Sequence, residues 1–310
     1  SYLVAGAVLP FFDALVRFGG PVQHIGTTNE LNAAYLADGY SRIRGFAAAA
    51  VTYGPGAFNA INAVAVGRID RAEEAAATVD RLLRTALDRK MPVYLEVPCD
   101  MQTAELPVCA PLDYMPPRSD PLRLAEAVEK VAEAVNGAAT VGVIVGVFVD
   151  RNGLCDVAEA LLTKTNLPFA TSFDQKAGYL EHLPNCVGFW QGAMSPRPVL
   201  QATERAELLL TLGMPRTEFN TGVFTARFNK AAVMELGHDT VNLRGQRLEG
   251  VYLRELMPLL ADKLHHRPVL PAEDTFPFSY TRPLEVRSEA ATTVEAMYQR
   301  LAHFVQEGAT

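Results

Sequence analysis

Apolar and polar positions fall into blocks whose period shifts along the chain. In residues 29–42, NELNAAYLADGYSR, Leu31, Ala34 and Tyr35 recur at spacings of three and four, which predicts a helix that Asn29 caps. FAAAAVTY, residues 46–53, predicts a short buried strand. GPGAFNAINAVAV, which follows it, predicts a tight glycine turn opening another helix. From Asp70 to Lys90 the residues Ala76, Val79, Leu83, Ala86 and Leu87 mark one side of an amphipathic helix. MPVYLEVP, residues 91–98, is the strand after it, stopped by Pro98.

Five prolines fall within LPVCAPLDYMPPRSDP, residues 106–121. Proline removes backbone donors and fixes φ, so this stretch predicts a linker. A second alternation follows: a helix from Leu122 to Val135, an apolar strand VGVIVGVF (141–148), a helix from Cys155 to Lys164 and a strand LPFATSF (167–173). Then come a helix from Pro198 to Ala206 and strands LLLTLG (208–213) and AAVMEL (231–236). Strands alternating with helices predict an α/β fold, with a doubly wound parallel sheet covered on both faces. HHRPVLPAEDTFPFSYTRP, after Leu264, is a further linker, and a last helix spans Glu289 to Val305. The expected organisation is a first domain over 1–105, a linker over 106–121, a second domain over 122–264, and a linker with one helix over 265–310.

Composition narrows the classes. The 310 residues are 49% apolar and 20% charged, with a net charge of -7, as in a soluble globular protein of about two domains. The acidic balance offers nucleic acid no basic footprint. No apolar run reaches the roughly 18 residues of a membrane helix, and the apolar start SYLVAGAVLPFF lacks the basic region and cleavage site of a signal peptide. Cys99, Cys109, Cys155 and Cys186 lie far apart with no CxxC pair, which suggests neither a disulfide framework nor zinc. A reduced, cytoplasmic protein is the expectation.

Glu30 stands in the first turn of a helix, where a carboxylate is favoured by the helix dipole with no further role. The GPG turn reads equally well as a tight βα connection. Taken together, though, Asn29 to Asn32, Ala37 to Arg42 and Thr52 to Gly56 resemble the thiamine-diphosphate-dependent 2-oxo acid decarboxylases, of the pyruvate, indolepyruvate and phenylpyruvate type. The family carries Asn-Glu-Leu-Asn, Ala-Asp-Gly-Tyr-x-Arg and a Thr-x-Gly-x-Gly turn at similar spacing. The resemblance continues through ATVDRLLRTALDRKMPVYLEVPCDM and returns at LLLTLGMPRTEFNTGVFTARF, residues 208–228.

That resemblance implies a pyrimidine-binding domain followed by a middle domain. In the family, the glutamate at the place of Glu30 hydrogen-bonds N1′ of the cofactor's aminopyrimidine ring. It favours the imino tautomer, which takes the thiazolium C2 proton; the ylid then attacks the keto carbon of the substrate. Thr52, Gly54 and Gly56 would lie beside the pyrimidine or the reacting centre. Implied cofactors are thiamine diphosphate and Mg²⁺, whose metal and diphosphate ligands lie outside these residues. The implied reaction is non-oxidative decarboxylation of a 2-oxo acid to an aldehyde by a homodimer or homotetramer. GPGAFN and NTGVFTARF are closest to the indolepyruvate and phenylpyruvate members, which favours an aromatic or bulky substrate.

Four departures qualify this. Gly6-Ala7-Val8-Leu9-Pro10 stands where the family has a Gly-Asp-x-x-Leu-Pro turn, and lacks the Asp. Val66 adjoins Gly67 with no turn signal where the family has a stretch of about 60–70 residues, including a catalytic His-His pair. His265-His266 is not that pair by position and reads as exposed linker. The residues end where the family's diphosphate domain would begin, and DQKAGYLEHLP (174–184) is more polar than the family's usual stretch. Either these residues are the ordered part of a longer polypeptide or the chain is a truncated or degenerate product. The first is favoured, because removing sheet elements would expose strand edges and apolar surface.

Two rivals remain: a carboligating, acetolactate-synthase-like enzyme with FAD in the second domain, and a non-catalytic scaffold. Against FAD, VGVIVGVF leads into VDRNG with no GxGxxG. Cys155 begins a helix, where a thiolate is favoured, though a plain helical cysteine is the simpler reading. Phe189 and Trp190 read as a core or interface pair. Glu218, Asn220 and Thr221 sit in a family-like loop with no assigned chemistry.

Overall fold

Residues 9–18, 20, 22–23, 25–27, 30–51, 65–106, 110–175, 179–229, 231–268 and 293–306 are the described part of the computed structural model. Its first helices are α1 (Leu9–Phe18) and α2 (Glu30–Arg44). The next elements are two parallel strands, β1 (Ala65–Arg68) and β2 (Val93–Glu96), joined through a 3-10 turn (Ala72–Glu74) and α3 (Ala75–Arg89). Lys90, at φ 55°, takes the left-handed conformation that ends α3.

Two expectations fail here. Ala65 and Val66, read as the end of a helix, are strand residues facing Val93 and Tyr94. The β2 backbone supplies the partner that a short apolar run cannot reveal by itself. Residues 46–51, read as a strand, pair with no neighbour among the described residues, and Phe46 is 49% exposed. Apolar content alone does not make a strand whose amides lack a ladder. Val66 and Gly67 lie side by side in β1, so their junction needs no turn.

A second sheet has the order β5-β4-β3-β6-β7-β8-β9. Its strands are β3 (Val141–Val145), β4 (Phe169–Ser172), β5 (Cys186–Trp190), β6 (Leu208–Leu212), β7 (Val233–Leu236), β8 (Thr240–Leu243) and β9 (Gln246–Glu249). The first five run parallel; β8 and β9 are antiparallel, which corrects the all-parallel expectation. The β8–β9 loop is the two residues Arg244 and Gly245, at φ 53° and 100°. Two consecutive left-handed residues match the twist of a hairpin, and this turn lets the chain double back.

Helices cover both faces of this sheet. α4 (Pro121–Gly137) is capped by Asp120, whose Oδ1 accepts from the Leu122 and Arg123 amides at 3.0 Å each. VGVIVGVF is not one strand: β3 stops at Val145, and Val147–Arg151 form a short helix, α5. Gly146 permits the change, since a Cβ there would sit 2.3 Å from Met214 Cα. α6 (Cys155–Thr165) ends at Asn166, φ 54°; α7 (Arg197–Ala202) is shorter than its pattern suggested, and α8 is Leu253–Lys263. Val128, Val131 and Val135 of α4, Leu161 and Leu162 of α6, and Leu256 and Leu260 of α8 form the larger core with one face of the sheet. On the other face Ile144, Ala170, Trp190, Val199, Leu209 and Val233 pack together.

Residues 293–306 are described separately, as α9 (Val294–Gln306); the expected helix start, 289–292, lies outside the described residues. Among the described residues, no helix is long and apolar enough to cross a membrane.

Candidate cofactor site

Glu30 is the first residue of α2 and is half-buried. It shares a helical face with Ala33, Ala34, Ala37 and Ser41, at spacings of three, four, seven and eleven; Ala33 is buried and the others half-buried. The face turned to protein is therefore one of small residues with a carboxylate at its N-terminal end. Leu31 and Tyr35, read as part of the packed pattern, are exposed instead. The small side chains lie on the buried side of the helix and the large apolar ones on the exposed side. Asp38 accepts from Arg42 Nε at 2.8 Å, so two residues of the Ala-Asp-Gly-Tyr-x-Arg run form an exposed pair one turn apart. Thr52, Gly54 and Gly56 lie outside the described residues, as do Asn29 and most of the residue 6–10 turn. Among the expected site residues, the structure places Glu30 alone.

In the second sheet, sequence order reverses between β3 and β6, the point at which doubly wound sheets bind nucleotides. Here that point is closed by the chain. Gly146 N–H donates to Leu212 O at 2.8 Å and Phe148 N–H to Gly213 O at 3.0 Å. Amides that would receive a pyrophosphate are already spent, and the gap is so tight that a Cβ at Gly146 would meet Gly213 O at 2.6 Å. The donor set does not fit FAD.

Loops after β4, β5 and β6 gather at the carboxyl edge. Asn220 is fully buried: its Nδ2 donates to Asp174 Oδ2 at 2.9 Å and Pro215 O at 2.8 Å, and its Oδ1 accepts from the Asp174 amide at 3.2 Å. Thr221 Oγ1 donates to Thr217 O at 2.7 Å. Both residues build the loop, whereas Glu218 is exposed. Phe173 stacks on Phe219, with centroids 5.8 Å apart, and both rings are exposed. Trp190 is buried against Phe228, centroids 5.3 Å apart, with Nε1 donating to Glu204 at 3.2 Å, which makes it a core residue. Burial, with Asp150 beside it, pushes the Cys155 thiol up to about 11, which removes the stabilised thiolate. His265 and His266 are exposed.

The fold agrees with comparison to known families. Residues 2–73 match the thiamine pyrophosphate enzyme N-terminal TPP binding domain, and residues 128–251 match the thiamine pyrophosphate enzyme central domain. The chain belongs to the thiamine pyrophosphate enzymes and carries their N-terminal and central domains. Its relatives include pyruvate decarboxylase isozyme 2 of Saccharomyces cerevisiae, 25% identical over 358 aligned residues that cover 97% of this chain and 62% of that protein. Pyruvate decarboxylase of Candida glabrata is 24% identical over 354 residues, with coverage of 97% and 62%. That of Aspergillus terreus is 23% identical over 317 residues, with coverage of 86% and 55%. The chain spans about three fifths of the length of the first two relatives, and those alignments are longer than its own 310 residues. The relatives therefore hold residues within the matched region that this chain lacks.

Proposed function

We propose that the chain provides the pyrimidine-binding and central parts of a thiamine-diphosphate-dependent decarboxylase, which converts a 2-oxo acid to an aldehyde and carbon dioxide. One observation carries this: Glu30 is the first residue of α2, on the face turned to protein. A carboxylate held by a helix end, beside small residues that leave room for a ring, fits the aminopyrimidine of that cofactor. Once bound, thiamine diphosphate supplies the electron sink for the pair left by the departing carboxylate. Glu30 would hold a proton acceptor against the pyrimidine, and Thr52, Gly54 and Gly56 would line the same space. Mg²⁺ accompanies the diphosphate in this reading, with no ligand assigned among these residues. An aromatic or bulky 2-oxo acid is the proposed substrate, supported by the NTGVFTARF stretch and by the exposed Phe173 and Phe219 at the carboxyl edge. Carboligation with FAD has no support, because the Gly146 and Phe148 amides are occupied.

Calorimetry with thiamine diphosphate and Mg²⁺, paired with carbon dioxide release from pyruvate and phenylpyruvate, tests the reading. Cofactor binding is expected in the micromolar range, with phenylpyruvate turned over faster. Glu30→Gln is expected to lower release by about a hundredfold or more, as loss of a general acid–base group does. Full activity in that variant would remove Glu30 from the chemistry. No binding heat and no carbon dioxide from the wild type would favour the non-catalytic scaffold.

A further inference from the structure

His238 follows β7 and is buried, yet its ring leaves the central sheet to meet the N-terminal domain. Its Nε2 pairs with the carbonyl of Asp88, in the last turn of α3, and its Nδ1 lies 3.1 Å from Asn152 Nδ2. Phe148 stacks on the ring, centroids 5.3 Å apart, and Tyr252 meets it edge-on. The hydrogen bonds define the tautomer. Asn152 Nδ2 also donates to Phe148 O at 2.6 Å, and a carbonyl can only accept, so the amide nitrogen faces His238. Nδ1 must then be the acceptor and Nε2 the donor to Asp88 O. The ring is neutral and both nitrogens are satisfied.

Protonation breaks this arrangement. An N–H at Nδ1 would face the N–H of Asn152. Rotating the Asn152 amide would present Oδ1 to the ring, but would set an oxygen against Phe148 O. Asn152 Oδ1 is itself buried and has no hydrogen-bond partner, so no second contact holds the amide in a rotated state. Charges near the ring act in both directions: Asp239 favours its protonation, whereas Arg254 and Lys90 oppose it. The groups that act on the ring are Asp88 at the end of α3, Lys90 just after it, Asp239 from its own loop and Arg254 from the start of α8, with Tyr252 edge-on; Arg89 sits on Asp239 and Arg151 on the Lys90 carbonyl. Asp239 is paired with Arg89, and Asp88 accepts from Tyr114 Oη at 2.8 Å. Both carboxylates are engaged elsewhere, and burial is the main penalty on an imidazolium here.

We propose that His238 is a pH-sensitive latch between the two domains: neutral, it fastens the C-terminal end of α3 to the central sheet, and protonated, it releases it. Burial lowers the affinity of the docked ring for a proton, outweighing the opposing Asp88 hydrogen bond and Asp239. The released ring titrates at its ordinary value of about 6.5. Docking is therefore fully favourable above that value and weakens as pH falls through it, because the released state binds the extra proton.

Hydrogen exchange of the 310-residue chain without cofactor tests the latch separately from the decarboxylase reading. Exchange at 88–91 is measured at pH 7.5 and 5.5 and corrected for intrinsic rates. It is expected to rise about threefold or more at pH 5.5, while β3 amides stay protected. His238→Gln keeps an N–H for Asp88 O and is expected to abolish the rise. Asn152→Asp gives an imidazolium an acceptor and is expected to keep the end of α3 protected at pH 5.5. Equal corrected exchange at both pH values in the wild type would overturn the latch. So would a parallel rise in β3, or a rise that persists in His238→Gln. If His238→Gln does not fold, a wild-type rise in Asn152→Asp overturns it.

Discussion

Val223 and Phe224 lie in the left-handed region at φ 57° and 59°, directly after Gly222 at 57°. An L-residue there costs roughly 1–2 kcal/mol, and a β-branched one such as Val223 is the more unusual. The turn is held by Thr225 N–H on Thr221 O at 3.0 Å and Thr225 Oγ1 on Gly222 O at 2.6 Å. Gly192 and Gly222 allow the β5 and β6 loops to touch, since a Cβ at either would sit 2.3 Å from a backbone oxygen of the other loop. Val223 is 58% exposed, so removing its side chain forfeits little burial. Val223→Gly is expected to stabilise the protein by about 0.5–1 kcal/mol, read as a higher urea midpoint at unchanged slope. A lower midpoint would show that the side chain holds the turn. Cys155 gives an opposite kind of expectation. With its thiol near 11, alkylation at pH 8 should be about a hundredfold slower than for an ordinary thiol, and Asp150→Asn should speed it. Equal rates would contradict the burial. At this scale, residue types were legible in the sequence and roles were not. Asn220 stood out in its loop, but its role depends on Asp174, far away in the chain. His238 carried no pattern at all, because its partners come from α3 and α5.

Elements were legible where burial imposes a period. α3, α4 and α6 bury one face and show it in spacing, while β3 and β6 are buried throughout and read as apolar runs. Failures came where a run admits two readings. VGVIVGVF stays apolar across Gly146, yet five residues complete the strand and the rest turn into α5. The short β8 and β9 strands are paired by the Arg244–Gly245 turn, and α8 carries Pro258 in its interior; none of these gives a long regular pattern. Packing between elements left a mark that only the structure explains. Gly142 lies in β3, and a Cβ there would come within 2.0 Å of Ala202 O at the end of α7. A backbone oxygen cannot swing aside as a side chain can. Gly142→Ala is therefore expected to cost about 1–3 kcal/mol in chemical denaturation, despite the better strand propensity of alanine. Asp120→Ala should cost about 1 kcal/mol by removing both amide contacts at the start of α4. A neutral Gly142→Ala would mean that α7 shifts freely over the sheet.

One feature that the described residues leave open is the outer side of α2. Leu31, Tyr35, Leu36, Tyr40 and Ile43 are all exposed, Ile43 by 80%, while the opposite face is the one that carries Glu30. Leu36, Tyr40 and Ile43 follow at spacings of four and three and form one stripe on the helix. Apolar surface of this kind is ordinarily covered, and the commonest cover is a symmetric second copy. On the proposed function the same helix would join two tasks: its inner face would carry Glu30 toward the cofactor, and its outer face would hold an assembly that keeps the helix in place. We therefore expect the 310-residue chain to sediment as a dimer or larger species at tens of micromolar. Tyr40→Glu with Ile43→Glu puts two charges into the stripe without touching the face of Glu30, and should shift the boundary toward monomer while the far-ultraviolet spectrum is kept. A wild type that sediments as a monomer over that range would exclude self-association through α2. An unchanged oligomer in the double variant would move the contact to another surface.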